Sequence, residues 1–250
     1  MEINYIHSEA VHNSDAAHEV LPYLFDLVRP ESVIDIGCGT GSWLKVAKQL
    51  GVGRIRGIDG IHVDRSMLCI TEEEFLQHNL TLPLPARDNY DLAICLEVAE
   101  HLPEEAADNI IEILCGHSDL VLFSAAIPGQ GGQFHINEQW PAYWQKKFGT
   151  HGFLPYDILR DRFWDNLSVN WWYKQNMFLY IREGSGQRLN IKASAALPVF
   201  IHPELFDDKL QKLQVAEKTI VYLEGIILQR LTRPRFLPSL KLLLKSIIKR

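Results

Sequence analysis

Four cysteines are all that the sequence carries, and Cys38, Cys69, Cys95 and Cys115 never fall in a CxxC pair. Three of them lie in apolar runs, where a reduced thiol behaves as a small hydrophobe, so a cytoplasmic setting is expected. Long apolar runs are missing as well. No stretch of 18 uncharged apolar residues occurs, and the opening "MEINYIHSEAVHNSDAAHEV" has neither the basic start nor the apolar core of a signal peptide. No membrane span and no secretory leader are therefore expected. Positive charge is in deficit: 25 Lys and Arg stand against 31 Asp and Glu, a formal net charge of -6. Nucleic-acid surfaces need an excess of bases facing phosphates, so DNA is not an expected partner and RNA is demoted as a substrate. Internal repeats and low-complexity segments are absent too. What remains, 250 residues with 47% hydrophobic and 22% charged content, suffices for one substantial globular domain plus an appendage.

Between residues 14 and 182, short apolar runs alternate with longer amphipathic segments, the order of an α/β domain built on a mainly parallel sheet. Strands are expected at "SVIDI", "RIRGID", "YDLAIC", "DLVLFSA", "YDILRDR" and "QNMFLYIR". Residues 14 to 28 read as a helix, with Ser14 as N-cap and Pro30 closing it. Pro103 followed by "EEAADNIIEIL" opens another, acidic in its first turn as the helix dipole favours. After "YIREGSGQ" the composition changes. "LFDDKLQKLQVAEKTIVYLEGIILQRL" has helical periodicity, "TRPRFLP" breaks it and "SLKLLLKSIIKR" resumes it. The expected division is a main domain over residues 1 to 185 and a helical extension over 186 to 250.

The run "VIDIGCGTGSW" joins the first strand to a helix through Gly37, Gly39 and Gly41. Glycines there let the backbone turn sharply and approach a ligand at the carboxyl edge of the sheet. A dinucleotide fingerprint would put its third glycine at position 42, which is Ser42. Asp35, just before the loop, is a poor neighbour for a pyrophosphate and a good one for an ammonium group, so the ligand should carry positive charge. Asp59 ends the second strand, 24 residues on, where an acid accepts hydrogen bonds from ribose hydroxyls. With these residues the chain resembles the class I S-adenosylmethionine (SAM)-dependent methyltransferases, whose DxGxGxG motif is matched by Asp35, Gly37, Gly39 and Gly41. The resemblance implies a Rossmann-like α/β fold: a mainly parallel seven-stranded sheet flanked by helices, here with a C-terminal helical extension. It implies SAM as cofactor, held by Asp35, Gly37, Cys38, Gly39, Thr40, Gly41, Asp59 and Gly60. "HNLTLPL" resembles the family's third motif, with Asn79 where an Asp is usual and Leu80 as an apolar wall for the adenine.

"CLEVAEHLP" sets Glu97, Glu100 and His101 within five positions behind the apolar run "YDLAIC". Glu97 is expected nearest the transferring methyl, as a SAM-side or substrate contact. Downstream, "AAIPGQGGQFHINEQWPAYWQKKFGTHGF" places Pro128, a flexible "GQGG" and His135 at the same sheet edge, on the acceptor side. Trp140, Tyr143 and Trp144 stand beside it, but positions 140, 144 and 148 recur at helical spacing and read as a core stripe. Displacement at a sulfonium methyl needs the acceptor atom held in line, and an alcohol acceptor also needs a base; His135 and His101 are the candidates. An ExxEH with a later His resembles two groups of O-methyltransferases, of the catechol and small-RNA 2′-hydroxyl types, in which such residues accompany a divalent cation. That resemblance makes Glu97, Glu100, His101 and His135 candidate ligands. "HINEQWPAYW" and "NWWYKQNMFLYIR" resemble bacterial methyltransferases of glycan and secondary-metabolite pathways, which ranks a sugar, glycan or small-molecule hydroxyl first as acceptor. The alternatives are nitrogen methylation, metal-dependent 2′-O-methylation of RNA, and a SAM-binding regulator without catalysis. His7, His12 and His18 precede the sheet and read as surface or lid residues.

From residue 225 onward there are no acids and seven bases, Arg230, Arg233, Arg235, Lys241, Lys245, Lys249 and Arg250. Taking that +7 from the total of -6 leaves -13 on the rest, an asymmetry that suggests a separate partner for the tail. In "SLKLLLKSIIKR" the lysines recur every four residues opposite Leu240, Leu243, Leu244 and Ile247, a basic amphipathic helix suited to an anionic membrane surface. Docking on the main domain, or homo-oligomer formation through the 205 to 231 helix, are the alternatives.

Overall fold

The computed structural model describes residues 14–60, 63–84, 88–185 and 192–232. It opens with α1 (Asp15–Val28), then β1 (Ser32–Ile36), α2 (Ser42–Gln49), β2 (Arg54–Asp59), β3 (Phe75–Gln77) and β4 (Leu92–Leu96). α3 (Ala107–His117), β5 (Leu120–Ser124), α4 (Pro141–Thr150), β6 (Phe153–Tyr156), α5 (Arg160–Phe163), α6 (Trp171–Asn176), β7 (Phe178–Arg182) and α7 (Pro203–Thr232) follow. The seven strands form one sheet in the order β3-β2-β1-β4-β5-β7-β6. Pairings from β3 through β5 are parallel, and β7 runs antiparallel to both β5 and β6. This is the Rossmann-like, mainly parallel sheet expected from the sequence.

The strand residues explain the placement. β1, β4 and β5 are buried along their whole length, which is why they read as continuous apolar runs. Two apolar layers cover the sheet. One, around Leu21, Leu24, Leu44 and Leu179, seats α1 and α2; the other, around Ile110, Leu114, Phe123, Trp144 and Phe148, seats α3 and α4. The expected stripe on α4 holds for Trp144 and Phe148, both buried, while Trp140 lies at the helix start and is 43% exposed. Cys38, Cys95 and Cys115 are buried and Cys69 is exposed.

Three local expectations are corrected. "YDILRDR" is not a strand: β6 lies earlier, and Arg160 opens the short α5, because its guanidinium is drawn inside. Arg160 is buried and pairs with Asp157 three residues back, Nε to Oδ1 at 2.9 Å, while its face lies 4.4 Å from the Phe178 ring and 4.7 Å from the Phe200 ring. β3 gave no sequence signal, being a three-residue edge strand with two exposed side chains. The Ser14 side chain makes no cap bond; its carbonyl accepts from the His18 amide at 3.0 Å and meets His18 Nδ1 at 2.8 Å. α1 ends before Pro30, with Arg29 in the left-handed region at φ 45°.

The chain divides into two compact units, residues 1–202 and 203–250. The division falls after His202 rather than after Ser185, since the segment leading to it is stitched to the first unit. Ser194 N–H donates to Pro155 O (2.8 Å), Leu197 N–H to Gln145 Oε1 (3.2 Å), Arg160 Nη1 to Pro198 O (3.0 Å) and His202 N–H to Gln175 Oε1 (2.8 Å). No helix among the described residues is long and apolar enough to cross a membrane. The basic stretch "SLKLLLKSIIKR" lies outside the described residues.

Candidate active site

The sheet order reverses between β1 and β4, so ligands have their crevice at the carboxyl ends of these strands. From Asp35 the chain turns through Gly37, Gly39 and Gly41 at φ 85°, 53° and 81°. A side chain disfavours that region, and at Gly37 space forbids one as well: a Cβ would lie 2.3 Å from Val98 Cγ2. Asp59 fastens the loop, with Oδ2 accepting from Gly39 N–H and Oδ1 from Gly60 N–H, both at 2.6 Å. Thr40 is buried, and its carbonyl accepts from Cys69 N–H at 2.7 Å. Asp35 is buried, and its carboxyl is pushed well above the usual carboxylate range, first by burial and then by the charge of Asp59. A cation in the crevice would favour its ionised form. Burial, then the charges of Asp35 and Asp59, push the Cys38 thiol well up, so Cys38 packs as a hydrophobe and is no nucleophile. Asn79 follows β3; its Oδ1 accepts from Thr81 N–H (3.0 Å) and Oγ1–H (2.8 Å), while Leu80 is buried.

Gly37→Ala is expected to weaken SAM binding at least roughly tenfold and to cost about 1–2 kcal/mol of stability from the left-handed backbone alone. Titration calorimetry and thermal unfolding measure both. Wild-type values in the variant would mean that the loop tolerates a side chain and does not depend on this turn.

Glu97 follows β4 in the left-handed region, φ 53°, a conformation that costs energy for any residue but glycine. Its backbone N–H donates to Ser124 O and to Ser124 Oγ, both at 3.1 Å. Its carboxylate accepts from Gln130 Nε2 at 2.9 Å and from Asn176 Nδ2 at 3.1 Å. The amides interlock behind it, with Asn176 Nδ2 donating to Gln130 Oε1 (2.9 Å) and Gln175 Nε2 to Asn176 Oδ1 (3.1 Å). Burial raises the Glu97 carboxyl, and bonds from Asn176, Ser124 and Gln130 hold the rise back. Glu97 is thus clamped by neutral amides.

Glu100 and His101 lie in a 3₁₀ turn, Ala99–His101, and His135 is brought to them by the backbone after β5. The Ile136 and Asn137 amides donate to Glu100 O at 2.9 and 3.0 Å. The His101 and His135 rings meet edge to face with centroids 4.8 Å apart. Glu100, His101 and His135 each offer a ligand atom within 4.8 Å of the others. Glu97, the fourth ligand candidate, is not in this cluster. Glu100 is 0% exposed, and neither carboxylate oxygen has a hydrogen-bond partner. Its carboxyl is held well above the usual range by burial, then by the charge of Glu97, and its approach to the Glu97 carboxyl adds to the rise; the backbone amides of Glu100 and Ala126 pull the other way.

His135 Nδ1 lies 2.9 Å from Glu138 Oε1. Glu138 also accepts from Gly131 N–H at 2.6 Å and Gly129 N–H at 2.7 Å. Burial opposes its ionisation, but these three bonds hold its carboxyl below the usual range, so it is an acceptor and His135 Nδ1 carries the proton. The ring nitrogen that this contact does not engage is Nε2. Gly132 makes room for it: a Cβ there would sit 2.2 Å from Nε2.

Gln130, Asn176, Gln175 and Glu138 escaped the sequence reading. Glu138 had a signal in the i, i+3 spacing from His135; the amides had none, since nothing local marks a buried Gln. His18 bonds Ser14 O and, through Nε2 at 3.2 Å, Gln49 Oε1. It serves the α1–α2 surface and no lid. His7 and His12 lie outside the described residues.

A family profile described as a methyltransferase domain matches residues 8–175. A ribosomal protein L11 methyltransferase from Dictyoglomus thermophilum is 35% identical over 77 residues, 27% of this chain and 24% of that protein. A ribosomal RNA large subunit methyltransferase E from Methanoregula boonei is 30% identical over 114 residues, 43% of this chain and 56% of that protein. The chain therefore spans about a quarter and about half of the length of these two relatives. Among solved structures, Streptomyces venezuelae DesVI superposes with a TM-score of 0.53 at 11% identity, covering 71% of this chain and 100% of that one, a likeness of fold. With the match running from before α1 through α6 and taking in the glycine loop and Asp59, the chain belongs to the class I SAM-dependent methyltransferases.

Proposed function

We propose that the chain transfers the methyl group of SAM to a hydroxyl of a sugar, glycan or small molecule, with His135 as general base and His101 beside it. The observation that carries this reading is the Glu100–His101–His135 cluster at the end of β4, one strand from the glycine loop. A nitrogen acceptor that arrives with a lone pair needs no such base, whereas an alcohol oxygen becomes a nucleophile as its proton leaves. Glu138 keeps the His135 proton on Nδ1 and Nε2 open to accept. Glu97, its carboxylate fixed by Gln130 and Asn176, is in this reading the group that orients an acceptor hydroxyl or the cofactor. Orientation matters because in-line attack tolerates little misplacement.

A divalent cation fits the same cluster. The buried Glu100 carboxylate without a hydrogen-bond partner is the kind of group that a cation satisfies, and two imidazoles with one carboxylate suit Mn²⁺, Mg²⁺ or Zn²⁺. Glu100, His101 and His135 would hold it, and when bound it would acidify the acceptor hydroxyl. SAM, in this reading, rests on Asp35, the Gly37–Gly41 loop, Asp59, Gly60, Asn79 and Leu80.

The test is methyl transfer from labelled SAM to a panel of sugar, glycan, catechol and amine acceptors, with and without chelator and added Mn²⁺. Methyl ethers are expected. Methylamines alone, or SAM binding without turnover on any acceptor class, would replace this reading with the nitrogen or regulatory one. Activity lost in chelator and restored by Mn²⁺ would add the cation to the mechanism; activity indifferent to chelator would leave His135 as the base without it.

A further inference from the structure

The second unit contains the 30-residue helix α7, Pro203–Thr232, whose large apolar side chains lie in water. Phe206, Leu210, Leu213, Ile220, Leu223 and Ile227 are each between 40% and 60% exposed, and Ala216 is exposed with them. These seven residues recur every three or four positions. Six steps cover the 21 positions from Phe206 to Ile227, a mean of 3.5 residues per step. An isolated helix repeats every 3.6 residues, and a spacing of 3.5 keeps a stripe facing a partner helix under a left-handed supercoil.

We propose that α7 pairs with the same helix of a second copy of this chain, as a parallel two-stranded coiled coil. Phe206, Leu213, Ile220 and Ile227 fall seven residues apart and take the a positions; Ala216 and Leu223 take d, and Leu210 flanks the seam at e. β-branched Ile at a with Leu at d is the combination that selects two parallel strands. Direction follows from the other two d positions, Lys209 and Arg230. In a parallel pair each a residue meets its own copy, so the four a layers are wholly apolar. In an antiparallel pair a meets d, and Phe206 and Ile227 would face Arg230 and Lys209. The flanks agree with the parallel choice. Lys212 at g faces Glu217 at e of the other copy, Thr219 faces Glu224, and no like charges meet across the g–e pairs. Lys209 and Arg230 at d each oppose their own copy, but only in the first and last layers of the stripe, where the long side chains reach water.

The experiment is sedimentation equilibrium of the full chain at micromolar concentration, beside the Leu213→Asp/Ile220→Asp double variant. The wild type is expected as a dimer and the variant as a monomer, with SAM affinity unchanged within twofold because both positions lie outside the catalytic unit. For direction, Lys209→Cys in a Cys69→Ser background is expected to give a covalent dimer on mild oxidation, since only a parallel pair brings position 209 against itself. A wild-type monomer overturns the proposal, including one whose α7 is covered by residues 233–250 or by anionic vesicles. So does a dimer that survives the double substitution; a dimer without the Lys209→Cys cross-link overturns its parallel direction.

Discussion

His135→Ala is expected to lower turnover by roughly a hundredfold to ten-thousandfold, the range that a positioned general base supplies, with SAM affinity kept within a few fold. The separation follows from position. The SAM loop hangs from β1 and β2 and is braced by Asp59, whereas His135 sits on the segment after β5, tied to Glu138 and to the backbone of Glu100. Truncating the imidazole ring therefore removes Nε2 from the Glu100–His101–His135 cluster and leaves the braces of the loop in place. Single-turnover rates with saturating SAM, together with calorimetric SAM binding, distinguish the two effects. Glu138→Gln serves as the companion variant: it keeps the shape but can present an amide donor to Nδ1, so a smaller loss, about tenfold to a hundredfold, is expected by analogy with other partners that orient a functional imidazole. An active His135→Ala enzyme would defeat the general-base and the ligand roles together.

The fold was legible because its defining elements are local. "SVIDI" and "LAICL" are fully buried strands and read as apolar runs, and the glycine spacing of the loop is dictated by backbone angles that a side chain opposes. What escaped detection depends on contacts across the chain. β3 has too few residues for an alternation to register, and "YDILRDR" misleads because Arg160 is apolar in its surroundings though charged in its chemistry, buried against Asp157, Phe178 and Phe200. At the site, Glu97 and Glu100 look equivalent in sequence. They differ in space, since amides 33 and 79 residues away occupy Glu97 while Glu100 meets no such partner. No spacing rule foresees that difference.

Glu100→Gln should give a protein that is more stable without ligand and no longer functional. A buried carboxyl with no hydrogen-bond partner must either carry an uncompensated charge or take a proton, and the structure favours the proton: burial, then the charge of Glu97, raises its pKa in the folded chain. The unfolded chain ionises it at the ordinary value of about 4.3. Between that value and the raised folded one, the folded state binds more protons than the unfolded state, so stability falls as pH rises through the window. One such group contributes a slope of up to about 1.4 kcal/mol per pH unit. The Gln variant cannot ionise; its stability should be flatter with pH and higher near neutrality by about 1–3 kcal/mol, less whatever its own unbonded amide costs. Denaturant melts between pH 5 and 8 measure this. The same variant is expected to lose most turnover, and Mn²⁺, which should raise the wild-type melting temperature by satisfying the carboxylate, should leave that of the variant unchanged. A stabilised, flatter but fully active variant would confine Glu100 to a packing role. An unchanged pH slope would mean that the carboxyl is compensated in solution, and the proposal that Glu100, His101 and His135 take a cation would lose its main support.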